Sequence, residues 1–355
     1  MYTPAQIPPD EIRRIASNPQ GFGELTEPYR RELHIHCYRI LGSLHEAEDM
    51  VQETFIKAWK HIGTYEGRAS FRSWLYKIAT NTCLDFLDSK RSRRLYHPRR
   101  GLPFQTNPAS DPHSPILPPT PELTWLEPFP DEWLADSAAV NPEARYSQSE
   151  SISISFLTAL QILPARQRAV LILRDVLDFS AIETAEVLEL TVSSVNSALN
   201  RARKTLSQRY QGEIPETTRV SFADEKSKQL LDHYIQAWQA ADVNGLVSLL
   251  KQDAIFAMPP SPSWYQGRTA IQNFSALTIF ADNGMFPGPA KNRWQLLPTR
   301  ANGTSAFALY QRDETNQYQA FGLHVLIWEG NKLAQLISFI DPSLPTRFGL
   351  PAIIE

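Results

Sequence analysis

Apolar residues recur at helical spacing through the first quarter of the chain. From Ala47 onward, Met50, Val51, Thr54, Phe55, Ala58, Trp59 and Ile62 lie three and four residues apart, which predicts a helix buried along one stripe. Its opposite face presents Glu46, Asp49, Gln52 and Glu53, an acidic and amide surface suited to a basic partner. A second helix is predicted from about Ala69. It carries Phe71, Trp74 and Tyr76 interleaved with Arg72 and Lys77, then Asn81 and Asp85 four apart on one face. Leu75, Ile78 and Trp74 read first as core. Rings flanked by cations also suit unpaired bases and the phosphates between them.

Between 96 and 145 the helical pattern breaks. Prolines from Pro98 to Pro142 forbid a continuous helix, and Trp125, Leu126, Phe129 and Trp133 cluster in TWLEPFPDEWL. Aromatics in such a linker predict docking, either onto this chain's own domains or into a partner's groove. Helical spacing returns from Ser149 to Tyr210, with Leu160, Leu163, Ala169, Val170, Leu173 and Val176 as a buried stripe. Ser180 and Glu183 form a capping-box pattern for a helix starting near Ala181, a turn follows at Glu189 to Thr191, and Ser193 opens a second helix through Lys204. This is helix-turn-helix spacing, with Leu190 where a small residue is usual. Ser193, Ser194, Asn196, Ser197, Asn200 and Arg201 fall on its outward face and Val195, Ala198, Leu199 and Ala202 inward.

After a hinge at 211–221 the pattern changes again. Two helices, Lys226 to Ala241 and Val243 to Lys251, precede the strand-like runs AIFAM, RWQLLPT, SAFALYQR, YQAFGLHVLIWE and KLAQLISFI, the last two joined at Gly330-Asn331. Helices followed by antiparallel strands predict an α+β domain. The expected division is 10–95, a linker over 96–148, 149–210, 222–345 and a tail over 346–355.

Composition narrows the function. A chain of 355 residues implies two or three domains. No apolar run approaches membrane-spanning length, and MYTPAQIPPDEIRR lacks the layout of a secretory signal, so a cytoplasmic location is expected. Cys37 and Cys83 read as buried free thiols, and no Cys/His cluster has metal spacing. The net charge of −3 argues against strong unaided binding to DNA. Positive charge is local: Lys90, Arg91, Arg93, Arg94, Arg99 and Arg100 in one run, Arg201, Arg203, Lys204 and Arg209 in another.

AEDMVQETFIKAW followed by FRSWLYKIATNTCLDFL resembles region 2 of the sigma-70 family in its extracytoplasmic-function (ECF) branch, over roughly residues 23–95. LPARQRAVLILRDVLDFSAIETAEVL and SVNSALNRARKTL resemble region 4. The resemblance implies that Asp49, Gln52, Glu53 and Phe55 hold the β′ clamp of RNA polymerase. It also implies that the loop Gly63 to Ser70 and the helix after it capture a base flipped from the −10 element, with Asn81 at the base-contacting position. Arg68, Phe71, Arg72, Trp74, Lys77, Asp85, Arg91 and Arg94 complete that −10 set. The −35 set is Ser193, Ser194, Asn196, Ser197, Asn200, Arg201, Arg203 and Lys204, and region 4 is expected on the β flap. The Pro-rich linker takes the path of the missing region 3, leading toward the RNA exit.

Residues from about 226 resemble the SnoaL-like, nuclear-transport-factor-like cone fold, which includes isomerases and cyclases. Tyr234, Trp238, Phe256, Met258, Trp264 and His324 form a candidate pocket for a small-molecule ligand. An enzyme needs a base and an oxyanion donor. Asp253, His324 and Asp341 are candidate bases, and Tyr234 and Tyr265 candidate donors. Each also reads as a turn, helix-end or strand residue. The expected function is therefore an ECF sigma factor, without covalent chemistry or cofactor, regulated in cis by its C-terminal domain. The tail, with Arg347 and Phe348, is expected to dock on the sigma core or linker. The alternatives are a SnoaL-type isomerase or cyclase fused to a DNA-binding part, and a helix-turn-helix regulator acting on duplex DNA without polymerase.

Overall fold

The computed structural model describes residues 8–92, 102, 108–119, 125–135, 151–209 and 225–355. They form two compact units. One comprises 8–92 and 155–209; the other comprises 225–355 with 151–154 and the described parts of 102–135.

In the first unit, α1 (Pro9–Ile15) and α2 (Pro19–Leu41) lead into α3 (Leu44–His61) and α4 (Phe71–Ser92). Local chemistry sets the boundaries. Asn18 caps α2 by accepting from the Gly21 amide, left-handed Gly42 ends it, and Ser43 caps α3 by accepting from the Glu46 amide. Ser70 Oγ accepts from the Ser73 amide at 3.0 Å, so α4 starts at Phe71 rather than at Ala69. Leu33, Cys37, Tyr38, Leu75, Ala79 and Cys83 are buried within this bundle, and both cysteines are free thiols. His36 is also buried, with Nε2 at 2.8 Å from Thr80 Oγ1, and desolvation lowers its pKa to about 3, leaving it neutral.

The unit continues with α5 (Ile154–Ile162), α6 (Ala165–Leu171) and a π turn over Ile172–Val176. The helix-turn-helix follows as α7 (Ala181–Leu188) and α8 (Val192–Arg209). The predicted capping box is present: Ser180 Oγ accepts from the Glu183 amide at 3.2 Å, and Glu183 Oε2 accepts from the Ser180 amide at 2.7 Å. The turn has no glycine because Glu189 itself takes the left-handed conformation, φ 54°. Thr191, not Ser193, caps α8, accepting from the Ser194 amide at 3.1 Å.

The second unit is the expected α+β domain. Helices α9 (Glu225–Ala240) and α10 (Val243–Leu249) precede β1 (Leu250–Ala257), β2 (Trp264–Gln266), α11 (Arg268–Phe274), β3 (Trp294–Ala301), β4 (Thr304–Arg312), β5 (Tyr318–Glu329) and β6 (Lys332–Phe339). The predicted helix to Lys251 stops at Leu249, because Leu250 begins a strand paired with Leu333. Helix α11 was not expected from the apolar pattern. The sheet order is β2-β1-β6-β5-β4-β3, antiparallel except for the parallel β1–β6 pair. Pro298 is tolerated because β3 is an edge strand. Leu231, Tyr234 and Trp238 of α9 join Trp294, Phe307 and Leu326 of the sheet in one core.

The tail departs from expectation. A helical turn, α12 (Leu344–Arg347), contacts β4 and β5, Phe348 is buried, and β7 (Ile353–Ile354) pairs with Tyr318 and Gln319 of β5. The apolar residues of the tail thus complete this domain.

Candidate nucleic-acid and polymerase interfaces

On α3, Asp49 and Gln52 are exposed and Glu53 is half-buried. Asp49 lies 3.8 Å from His45 and Glu53 3.9 Å from Lys57, both one helical turn away, so this face is charged but only loosely paired. Phe55 differs. It is buried beneath the Arg30 guanidinium, 5.0 Å from the ring centroid, and packs the bundle instead of standing free for a partner.

The predicted −10 set splits. Phe71 is 2% exposed and enclosed by Tyr29, Tyr65 and Trp74 at ring separations of 5.6–5.7 Å. It is core, and its ring is not available to stack on a base. Arg72 is committed too: its Nε donates to Glu32 at 2.9 Å, and its guanidinium lies 4.7 Å from the Tyr76 ring. Trp74 and Lys77 are half-buried and line a cavity of about 360 Å³ with the loop Thr64–Ala69 and with Glu183, Glu186 and Val187 of α7. Arg68 is exposed at the loop and paired with Glu66 at 2.6 Å. Asn81 Nδ2 donates to the Val187 carbonyl at 3.3 Å, Lys77 pairs with Glu189 at 3.1 Å, and Asp85 faces solvent. The Arg91 side chain and Arg94 lie outside the described residues.

The −35 set stays together. Ser193, Ser194, Asn196, Ser197, Asn200, Arg201, Arg203 and Lys204 are all exposed on α8, while Val195 and Ala202 are fully buried on its inner side. Arg203 makes a bidentate pair with Asp175, at 2.7 and 3.0 Å, which orients it across the helix-turn-helix.

The long-range contacts of four residues here are not predicted by the sequence. Arg168 is 1% exposed and donates to the carbonyls of Leu160 (3.0 Å), Gln161 (3.3 Å), Leu163 (3.1 Å) and, across to α2, Ile40. Phe179 sits 5.5 Å from the Tyr76 ring. Val187 and Glu189 meet α4. No local motif marks them, since each acts on a partner distant in sequence.

In the second unit the candidate pocket residues are packing residues. Tyr234, Trp238, Phe256, Met258, Trp264 and His324 are all buried. A cavity of about 530 Å³ in this domain is lined by others, among them Pro287, Arg293, Arg312, Asp313 and Phe321. Tyr234 Oη and His324 Nδ1 are 2.7 Å apart, and burial lowers the His324 pKa to about 3, which makes it a poor base. Asp253 is exposed and pairs with Lys251, and Asp341 accepts from the Ser343 amide and hydroxyl in a turn. Neither carboxylate joins the tyrosine–histidine pair. Tyr265 is stacked on Phe274 at 4.0 Å.

The linker docks on this same unit. Ser110 exchanges bonds with the Trp264 backbone, Leu117 bridges Ser261 and Ser263, and Trp125 Nε1 donates to the Pro260 carbonyl at 2.7 Å. Further on, the β3–β4 turn grips it. Asn302 Oδ1 accepts from the Phe129 amide at 2.8 Å, and the Asn302 amide donates to the Phe129 carbonyl at 3.0 Å. Asp131 accepts from the Gly303 amide at 2.8 Å and from Arg300 at 3.2 Å. Asn302 Nδ2 also donates to the Ile152 carbonyl at 2.7 Å, so one side chain holds the linker at Phe129 and the chain just beyond it at Ile152.

Residues 25–93 match the family described as Sigma-70 region 2, and residues 153–206 match Sigma-70, region 4. SigG of Mycobacterium tuberculosis (strain H37Rv) is an ECF RNA polymerase sigma factor. It is 40% identical over 338 residues, covering 93% of this chain and 84% of the relative. The chain belongs to the ECF RNA polymerase sigma factors. SigW of Bacillus subtilis (strain 168) is 29% identical over 197 residues, 55% of this chain and 92% of the relative. The crystal structure of M. tuberculosis SigJ shares the fold, with a TM-score of 0.55 at 19% identity, over 93% of this chain and 99% of that one. As an ECF sigma factor, the chain directs core RNA polymerase to promoters. Among the described residues no helix is long and apolar enough to cross a membrane.

Proposed function

We propose a residue-level division of this sigma activity, with the C-terminal domain regulating it in cis. The α3 face of Asp49, Gln52 and Glu53 engages the β′ clamp. The α4 face of Trp74, Lys77 and Asn81, with the loop Gly63 to Ser70, captures the −10 strand. The exposed face of α8 reads the −35 element, with its Arg201–Lys204 end on phosphates, while region 4 rests on the β flap. No covalent chemistry is assigned to the C-terminal domain, whose buried histidine lacks a carboxylate partner among the described residues.

The observation that carries the regulatory part is the grip of the Asn302 turn on the linker. The linker, assigned to the RNA exit path in the polymerase complex, is bonded at Phe129 and Asp131 to its own C-terminal domain, and the chain just beyond it at Ile152. Docked and polymerase-bound linkers exclude one another, so the domain sets the fraction of chain competent to bind.

Run-off transcription with core RNA polymerase tests this directly. Asn302→Ala in the full chain removes both side-chain bonds, from the Phe129 amide and to the Ile152 carbonyl, and is expected to raise transcript yield severalfold at limiting sigma concentration. Unchanged yield, with the linker shown by hydrogen exchange to be released, would remove the regulatory role and leave the sigma activity standing.

A further inference from the structure

We propose that α7, the first helix of the helix-turn-helix, occupies the strand-reading face of α4 in the free chain, and that this contact and capture of the −10 strand exclude one another. The inference rests on the assignment of that α4 face to the −10 strand, and adds what covers it before polymerase binds.

The contact substitutes for a nucleic-acid strand group by group. Asn81 Nδ2, the donor assigned to a flipped base, is spent on the Val187 carbonyl at 3.3 Å. Lys77, assigned to the backbone, pairs with the Glu189 carboxylate at 3.1 Å where a phosphate would sit. The base-capture loop and Trp74 still enclose a cavity of about 360 Å³, but its far wall is α7, which adds Glu183 and Glu186. Both carboxylates are exposed, so this wall repels a phosphate backbone while it blocks the opening.

Two further contacts hold the arrangement. Phe179, just before α7, is buried against Tyr76 at 5.5 Å and lies 6.0 Å from the Arg72 guanidinium. Arg168 of α6 donates to the Ile40 carbonyl in the last turn of α2. That bond can be given up without stranding a buried cation, because Arg168 keeps the Leu160, Gln161 and Leu163 carbonyls on its own side. The Lys77–Glu189 pair is half-exposed and weak. The contact is therefore reversible by a competitor that binds either surface.

Two measurements on the full chain test the proposal. A carbodiimide, which joins a lysine to a carboxylate only when they touch, is expected to link Lys77 to Glu189 in the free chain. The linked peptide should vanish when core RNA polymerase and a transcribed promoter fragment are added. Its absence from the free chain, or its persistence in the transcribing complex, overturns the proposal. In the second, Ser73→Cys/Glu186→Cys places thiols on opposite walls of the cavity, while Cys37 and Cys83 stay buried. Bridging the new pair with a short bis-maleimide is expected to lower run-off transcript about tenfold relative to the unbridged variant. Equal transcript from both forms overturns it. Failure of the α4 assignment reads out separately, as intact promoter opening by Asn81→Ala, and leaves the linked peptide unaffected.

Discussion

Helices α4 and α8 carry comparable signatures of DNA reading, yet they are left in opposite states. The outward face of α8 holds eight polar residues in water, with Arg203 aligned by Asp175 and Ser194 Oγ bonded locally to the Thr191 hydroxyl. On α4, Phe71 is core, Arg72 is locked to Glu32, and Lys77 and Asn81 are engaged by α7. The lesson is that a reading motif identifies a surface but not its availability. Availability depends on what else in the chain can satisfy the same donors and charges.

The sharpest way to break this contrast is to truncate one residue from each helix. Phe71→Ala removes a ring enclosed by three others and is expected to cost about 3–5 kcal/mol, whereas Asn200→Ala should shift stability by less than about 0.5 kcal/mol. Denaturant unfolding measures both. Equal, small effects would return Phe71 to the surface and restore it as a stacking residue.

Acid should separate the two helical regions as well. His36 is buried and its pKa is lowered to about 3, so the folded state refuses a proton that the unfolded chain accepts near pH 6.5. Stability is fully present above that unfolded value and falls as pH drops below it, by about 1.4 kcal/mol per pH unit for each such histidine. Desolvation shifts His34 in the same direction. Residues 153–206 contain no histidine. Hydrogen exchange at pH 5.5 should thus show the bundle around α2 and α4 losing protection first. Uniform loss across both regions would count against it.

The smallest effect is expected from Glu189→Gln. Loss of a half-exposed ion pair changes stability by at most about 1 kcal/mol, but it should weaken the salt dependence of the α4–α7 contact, read as Lys77 reactivity toward an amine reagent. Unaltered Lys77 reactivity would mean that the pair does not shield it.

Much of this molecule was legible in its sequence because the signals were local. The Ser180/Glu183 capping box, the buried stripe of α3 and the Gly330-Asn331 hairpin each involve residues within a few positions of one another. The Asn302-Gly303 turn carries the same kind of hairpin signal and went unread, although it proved to be where the linker is held. Phe71 was ambiguous for a physical reason: an aromatic beside cations has the same sequence pattern whether its ring stacks on a base or on Tyr29 and Tyr65. Tyr234 and His324 were both expected to line a pocket, but whether they line a cavity or fill a core depends on side chains from separated elements.

The sequence alone determined most of the element types (though not α11), the order of regions 2 and 4, the α+β class of the C-terminal domain and the polar face of α8, since periodicity, caps and motif spacing are properties of contiguous chain. Only the tertiary structure decided that Asn81 and Lys77 meet α7, that Arg168 reaches Ile40 and that Asn302 holds both Phe129 and Ile152. Those partners are separated by 106, 112, 128, 173 and 150 positions, and such pairings follow from the burial of whole faces, which no window along the chain contains.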